Sequence, residues 1–163
     1  MERAELITQL TATWRRHNDI LLYLLANVPA AGLTAIPPGS KGRMVAEQFD
    51  HLDRVRRGWL YFHETGKRLK GMPVRKGKPP SRAQLKKNLQ VSGREVERFL
   101  ERALHDGVRP RMFGRQVVRW IGYLIAHESH HRGQITLALK QNGLRLPERV
   151  ALQGLWGKWI FGK

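Results

Sequence analysis

The chain has 163 residues, enough for one domain with its own core, and no cysteine, which excludes disulfides, zinc–thiolate sites and a thiol nucleophile of its own. Thirty Lys plus Arg against thirteen Asp plus Glu give a net charge of +17. That balance favours anionic partners such as nucleic acid, acidic small molecules or a membrane surface, and says nothing about the fold.

The first predicted helix covers residues 3 to 27, with a stripe of Leu6, Leu10, Trp14, His17, Leu21 and Leu24. Arg15-Arg16 ahead of Ile20 to Leu25 imitates a signal peptide. However, the stripe begins upstream of the arginines, Asn18-Asp19 interrupts, and the apolar run is too short to span a bilayer. A cytoplasmic protein without a transmembrane segment is therefore expected. His17 reads as a hydrogen-bonded core histidine, with a general-base or substrate-contact role as the alternative.

Prolines and glycines over Val28 to Gly42 end this helix, and a second is expected from Arg43 to Thr65, closed by Gly66. Its stripe of Met44, Gln48, His51, Leu52, Val55, Trp59 and Phe62 carries His51 near the centre, whereas His63 reads as peripheral. Lys67 to Pro80 follows, basic and free of acids. At about 3.3 Å per residue it reaches about 46 Å, against about 35 Å for a 23-residue helix, so it can cross a bundle end to end.

The third helix opens on Ser81, three residues before Gln84 in a capping-box pattern, and continues through Leu85, Leu89, Ser92, Val96, Phe99 and Ala103. Gly93 weakens it by about 1 kcal/mol, and His105 near its end reads as peripheral. Asp106-Gly107 and Pro110 precede a fourth helix from Gly114 to Asn142. No segment alternates as a strand would. Four one-faced helices bury their stripes only against one another, so the expected fold is an all-α four-helix bundle over residues 1–146, with a long crossover between helices two and three. Residues 147–163 form a tail with Trp156 and Trp159, expected to pack on the bundle, line a pocket or make a homodimer seam.

Chemistry concentrates in the fourth helix. Its stripe of Val117, Trp120, Ile121, Leu124, His127, His131, Gln134, Ile135 and Ala138 places two imidazoles at i and i+4, on one face and about 5 to 6 Å apart at Cβ. His130 falls to one side, and Gly133 is expected to let helices approach closely. A lone histidine on an apolar face is ordinarily a hydrogen-bonded core residue, but His51, His127 and His131 converge on one core and need a common partner. Three neutral imidazoles suit a divalent transition metal, zinc or nickel foremost, and leave positions open for water or substrate. With no carboxylate ligand, the metal keeps its charge and activates a nucleophile.

Asp50-His51 in an amphipathic helix and the block Ala126-His127-Glu128-Ser129-His130-His131-Arg132-Gly133-Gln134 in a long last helix resemble the DinB/YfiT-like family over most of the chain. The resemblance implies a four-helix bundle with a crossover after helix two and a divalent metal held by His51, His127 and His131. It further implies a metal-dependent enzyme, such as an S-transferase using a low-molecular-weight thiol on an electrophile. No catalytic residue is assigned.

Two other classes compete. His127-Glu128-Ser129-His130-His131 is literally H-E-x-x-H, the zinc metalloprotease pattern with Glu128 as general base, for which Glu148 is the nearby candidate third ligand. Alternatively, the chain is a basic, non-enzymatic helical protein that holds DNA or RNA through Lys67, Arg68, Lys70, Arg75, Lys76, Lys78, Arg82, Lys86 and Lys87; no recognition motif or interleaved aromatic residues accompany them, so nonspecific binding is the expectation.

Overall fold

The protein is described by a computed structural model covering residues 3–69 and 79–162. Among these residues there is no strand. Four long helices, α1 (Arg3–Asn27), α2 (Val45–Thr65), α3 (Arg82–His105) and α4 (Val117–Gln141), are followed by a π-helical run, Arg149–Trp156, and a short α5, Gly157–Phe161.

Local chemistry sets the boundaries. The Met44 N–H donates to the Glu47 carboxylate at 2.7 Å, so α2 starts at Val45, and Gly66 ends it at φ 72°. The Ser81 hydroxyl accepts from the Gln84 N–H and opens α3. Helix α4 begins at Val117, three residues later than expected, because Phe113, Gly114 and Arg115 all have positive φ and cannot propagate a helix backward.

Contacts between helices give their directions. Trp14 meets Gly93 while Arg82 meets Leu25 and Val28, so α1 and α3 are antiparallel. Arg57 faces Asn88 and Glu64 faces Arg102, so α2 and α3 run parallel. His51 lies by His131 and His63 by Trp120, so α2 and α4 are antiparallel. Parallel α2 and α3 require the chain to return along the bundle between them, which is the expected crossover; residues 70–78 within it lie outside the described residues.

Two apolar clusters fill the bundle. One contains Leu21, Leu24, Phe49, Leu52, Leu89 and Ile135; the other contains Trp14, Leu60, Val96, Phe99, Trp120 and Leu124. Between them sits a polar layer of His17, Arg56, Ser92 and Glu128, all 0 to 1 % exposed, one helical turn from both clusters on α1, α2 and α3 and, on α4, one turn from Leu124 and two from Ile135. This layer corrects the reading of α2. Its deepest face is Val45, Phe49, Leu52, Arg56, Leu60 and His63, while His51, Val55, Trp59 and Phe62 form its half-buried flank. Arginine broke the apolar period on paper, but a paired arginine occupies the core position.

Other expectations also change. Leu6 is exposed, Gln134 faces solvent, and Gly133 is exposed with room for a Cβ, so it brings no helices together. The close approach is at Gly93, where a Cβ would sit 2.6 Å from Asn18 Oδ1 and whose carbonyl accepts from the Trp14 indole at 2.9 Å. His63 is not peripheral: it is buried among Trp59, Phe99 and Trp120 and accepts from the Arg111 N–H, and burial lowers its pKa to about 4. The C-terminal run lies on α1, with Val150 in the core and Gly154 against the Tyr23 ring. No helix of the described residues is long and apolar enough to cross a membrane.

Candidate metal centre

His51 comes from the flank of α2, and His127 and His131 lie one turn apart on α4. Because the helices are antiparallel neighbours, the three rings meet: centroids are 5.4 Å apart for His51 and His127, 4.9 Å for His51 and His131, and 4.8 Å for His127 and His131. One nitrogen of each lies within 4.8 Å of the other two. The centre of such a triangle is at most about 2.8 Å from each nitrogen, so each ring needs less than about 1 Å of movement to reach the 2.0–2.1 Å of a zinc–imidazole bond.

The electronic state of the rings fits a cation. Burial lowers the pKa of His51 to about 4, with the Arg43 charge and the neighbouring histidines adding to it. Burial and His127 likewise lower His131 to about 4, and burial lowers His127. All three are therefore neutral at pH 7, with lone pairs available. His131 Nδ1 lies 3.1 Å from Gln48 Oε1, an acceptor that places the proton on Nδ1 and leaves Nε2 as donor to a metal. His127 Nδ1 is buried without a hydrogen-bond partner, an orphan that metal ligation or re-pairing would satisfy. Sequence reading placed Gln48 on the stripe but missed its orienting role.

Beside the histidines opens a cavity of about 580 Å³ whose lining includes His51, Trp59, Phe62 and Tyr123. Tyr123 stacks on His127 with centroids 5.7 Å apart, so the aromatic wall continues to the candidate ligands.

Glu128 has a different role from the one H-E-x-x-H suggests. Its carboxylate accepts from Arg56 Nε and Nη2, each at 2.7 Å, and from His17 Nε2 at 2.7 Å, in the sealed polar layer. Despite its burial, the Arg56 charge and these hydrogen bonds hold its pKa at about 2. Fully paired and 1 % exposed, it cannot serve as a base for water in the cavity. Glu148 is exposed and does not join the histidine group. His17 is a buried core histidine whose Nε2 pairs with Glu128 while its buried Nδ1 has no hydrogen-bond partner, and His130 and His105 face solvent. Spacing puts both residues on their helices' apolar stripes, Arg56 four positions from Leu52 and Leu60 and Glu128 four from Leu124, but it does not reveal that they pair.

The basic run is partly engaged elsewhere. Arg82 donates to the carbonyls of Leu25, Ala26 and Val28, capping the end of α1, while Lys67, Arg68, Lys86 and Lys87 are exposed or half-exposed. Lys70, Arg75, Lys76 and Lys78 lie outside the described residues.

No curated protein matches the chain. The family model of the DinB superfamily matches residues 10–135, a span that contains α2, α3, most of α1 and of α4, and the three histidines. The chain belongs to the DinB superfamily.

Proposed function

We propose that the protein holds one divalent transition metal, zinc or nickel, through His51, His127 and His131, and uses it in thiol transfer to an electrophile bound in the adjoining cavity. The observation that carries this reading is the convergence of three neutral, half-buried to buried imidazoles, one of which, His51, lines an aromatic cavity. A bound metal would lower the pKa of a thiol and hold it as thiolate near neutral pH.

The chain's own residues supply the rest. Gln48 fixes the His131 ring and its tautomer. Tyr123 and Trp59 shield one side from bulk water and present flat apolar surface to the electrophile. In the transfer the thiol proton leaves to solvent, the sulfur electron pair forms the new S–C bond, and the bond from that carbon to its leaving group breaks. The absence of cysteine means the thiol comes from outside.

The test is turnover of a fluorogenic chloroalkyl electrophile with a panel of cellular low-molecular-weight thiols, using protein stripped of metal and then loaded with zinc or nickel. Metal-dependent turnover above the uncatalysed rate, lost in His51→Ala, supports the reading. No rate above that of the metal-free protein with any thiol rejects it.

A further inference from the structure

The C-terminal run turns apolar side chains outward as well as inward. Val150 is in the core, Leu155 packs against it, and Trp159 lies beside the buried His17 ring with centroids 6.2 Å apart, so one side of the run is committed to α1. Leu152, Trp156 and Ile160 recur every four residues on the other side, and with Phe161 they are between 53 and 71 % exposed. Single exposed hydrophobic residues are ordinary on a protein surface, but four large ones at helical spacing within residues 152–161 form a strip.

Glycine fixes which side faces out. Gly154 is buried, and a Cβ there would overlap the Tyr23 ring; Gly157, directly after Trp156, is buried too. Turning the run to bury Trp156 would bring a side chain to a place where only glycine fits. Arg16 donates to the Gly162 carbonyl and ties the far end to α1. The outward strip is thus a consequence of how the run docks.

The charge beside the strip is predominantly positive. Arg145 and Arg149 are exposed, and Lys158 stands 5.2 Å from the Tyr23 ring centroid, a contact that positions the ammonium without neutralising it. Glu148, exposed at the start of the run, is the only acid in the sequence after Glu128, which pairs with Arg56 in the sealed layer. On α1 beneath the run, Asp19 lines the groove toward α3, and Glu5 lies about three turns before Arg16, where the run ends. Arg145, Arg149 and Lys158 therefore outnumber Glu148, on a molecule whose net charge is +17. A second copy seated on the same strip would bring these like charges together. An anionic lipid surface accepts both features: tryptophan and large apolar side chains enter the boundary between headgroups and acyl chains, and Lys and Arg meet anionic headgroups.

We infer that the strip over residues 152–161 docks the protein on an anionic lipid bilayer, with Leu152, Trp156, Ile160 and Phe161 entering the interface without crossing it. The three histidines take no part, so zinc-loaded and zinc-free protein should bind vesicles alike.

The probe is a vesicle of phosphatidylcholine containing about one third phosphatidylglycerol, compared with phosphatidylcholine alone, by cosedimentation of the full chain at physiological ionic strength. Wild type should bind the anionic vesicles at least about tenfold more tightly. Trp156→Ser with Ile160→Ser keeps every charge and should weaken binding about tenfold or more at an unchanged melting temperature, because both side chains are exposed. Arg149→Gln with Lys158→Gln should weaken binding to the anionic vesicles several-fold and leave the neutral ones nearly unchanged, whereas Val118→Ser, exposed on α4, should change neither. Quenching of tryptophan fluorescence by brominated lipid should fall sharply in Trp156→Phe, which stays bound.

Undiminished binding by the double serine variant would reduce the interaction to adsorption of a basic protein and overturn the inference. No binding by wild type, equal affinity for both vesicles, or quenching unchanged in Trp156→Phe would do the same. A dimer in sedimentation velocity that the two serine substitutions dissociate would assign the strip to a second copy and overturn it as well.

Discussion

Glu128→Gln tests whether the glutamate of the H-E-x-x-H run is structural. The substitution keeps shape but removes a carboxylate that neutralises Arg56, whose side chain is 0 % exposed. The remaining acceptors for Arg56 are Asn18 Oδ1 at 2.8 Å and the Leu89 carbonyl at 3.1 Å, both uncharged. Breaking a buried ion pair from one side costs about 3–5 kcal/mol. Titration points the same way: the Arg56 charge and its hydrogen bonds hold the Glu128 pKa at about 2 against an ordinary 4.5, so the fold favours the ionised form by a few kcal/mol. Against a typical total of 5–15 kcal/mol this is a large fraction. In urea melts followed by circular dichroism, Glu128→Gln should lose about 3 kcal/mol at unchanged slope, and Arg56→Met with Glu128→Leu should recover part of it because no charge stays buried. Zinc stoichiometry at native temperatures should be unaffected. A stability loss below about 1 kcal/mol, or a variant as stable as wild type that no longer turns over substrate, would refute the structural assignment and return Glu128 to catalysis.

Three further outcomes are expected. Gly93→Ala should destabilise by about 1–3 kcal/mol in the same melts despite its better helix propensity, because its Cβ would displace Asn18 and through it the Arg56 contact. Gln48→Leu should leave the fold intact but weaken zinc about 10- to 100-fold by calorimetry, since His131 loses the acceptor that fixes its tautomer. For pH, the folded pKa of His63 lies below its unfolded value, so its contribution is complete above about pH 6.5 and is lost as pH falls toward 4. Glu128 follows by the same sign between about 4.5 and 2. The metal-free protein should therefore lose stability steadily on acidification from neutrality, and His63→Phe should flatten the upper part of that curve by up to about 3 kcal/mol.

Four helices and three histidines were legible because they depend on spacing. An i, i+4 pair must share a face, and the long basic segment after Thr65 has the reach to turn the chain back alongside α2. The polar layer was not legible, because a charged residue at a core position cannot be told from a surface one until its partner is known. Arg56 and Glu128 are 72 residues apart and are intelligible only as a pair. The same blindness moved the buried face of α2 by about one residue and made His63, which ends that face, look peripheral. Glycines misled for a related reason: Gly133 and Gly93 look alike in sequence, and only the packing of Asn18 and Trp14 distinguishes the one that holds helices together.

The central claim is most directly tested by zinc calorimetry with elemental analysis of purified protein, comparing wild type with His51→Ala, His127→Ala, His131→Ala and the solvent-facing His130→Ala. One metal per chain in wild type and in His130→Ala, with loss of stoichiometric binding in each of the other three, is the predicted result. Stoichiometric metal retained in His51→Ala would contradict it, because a site that survives without the α2 ligand is not the one these three rings form.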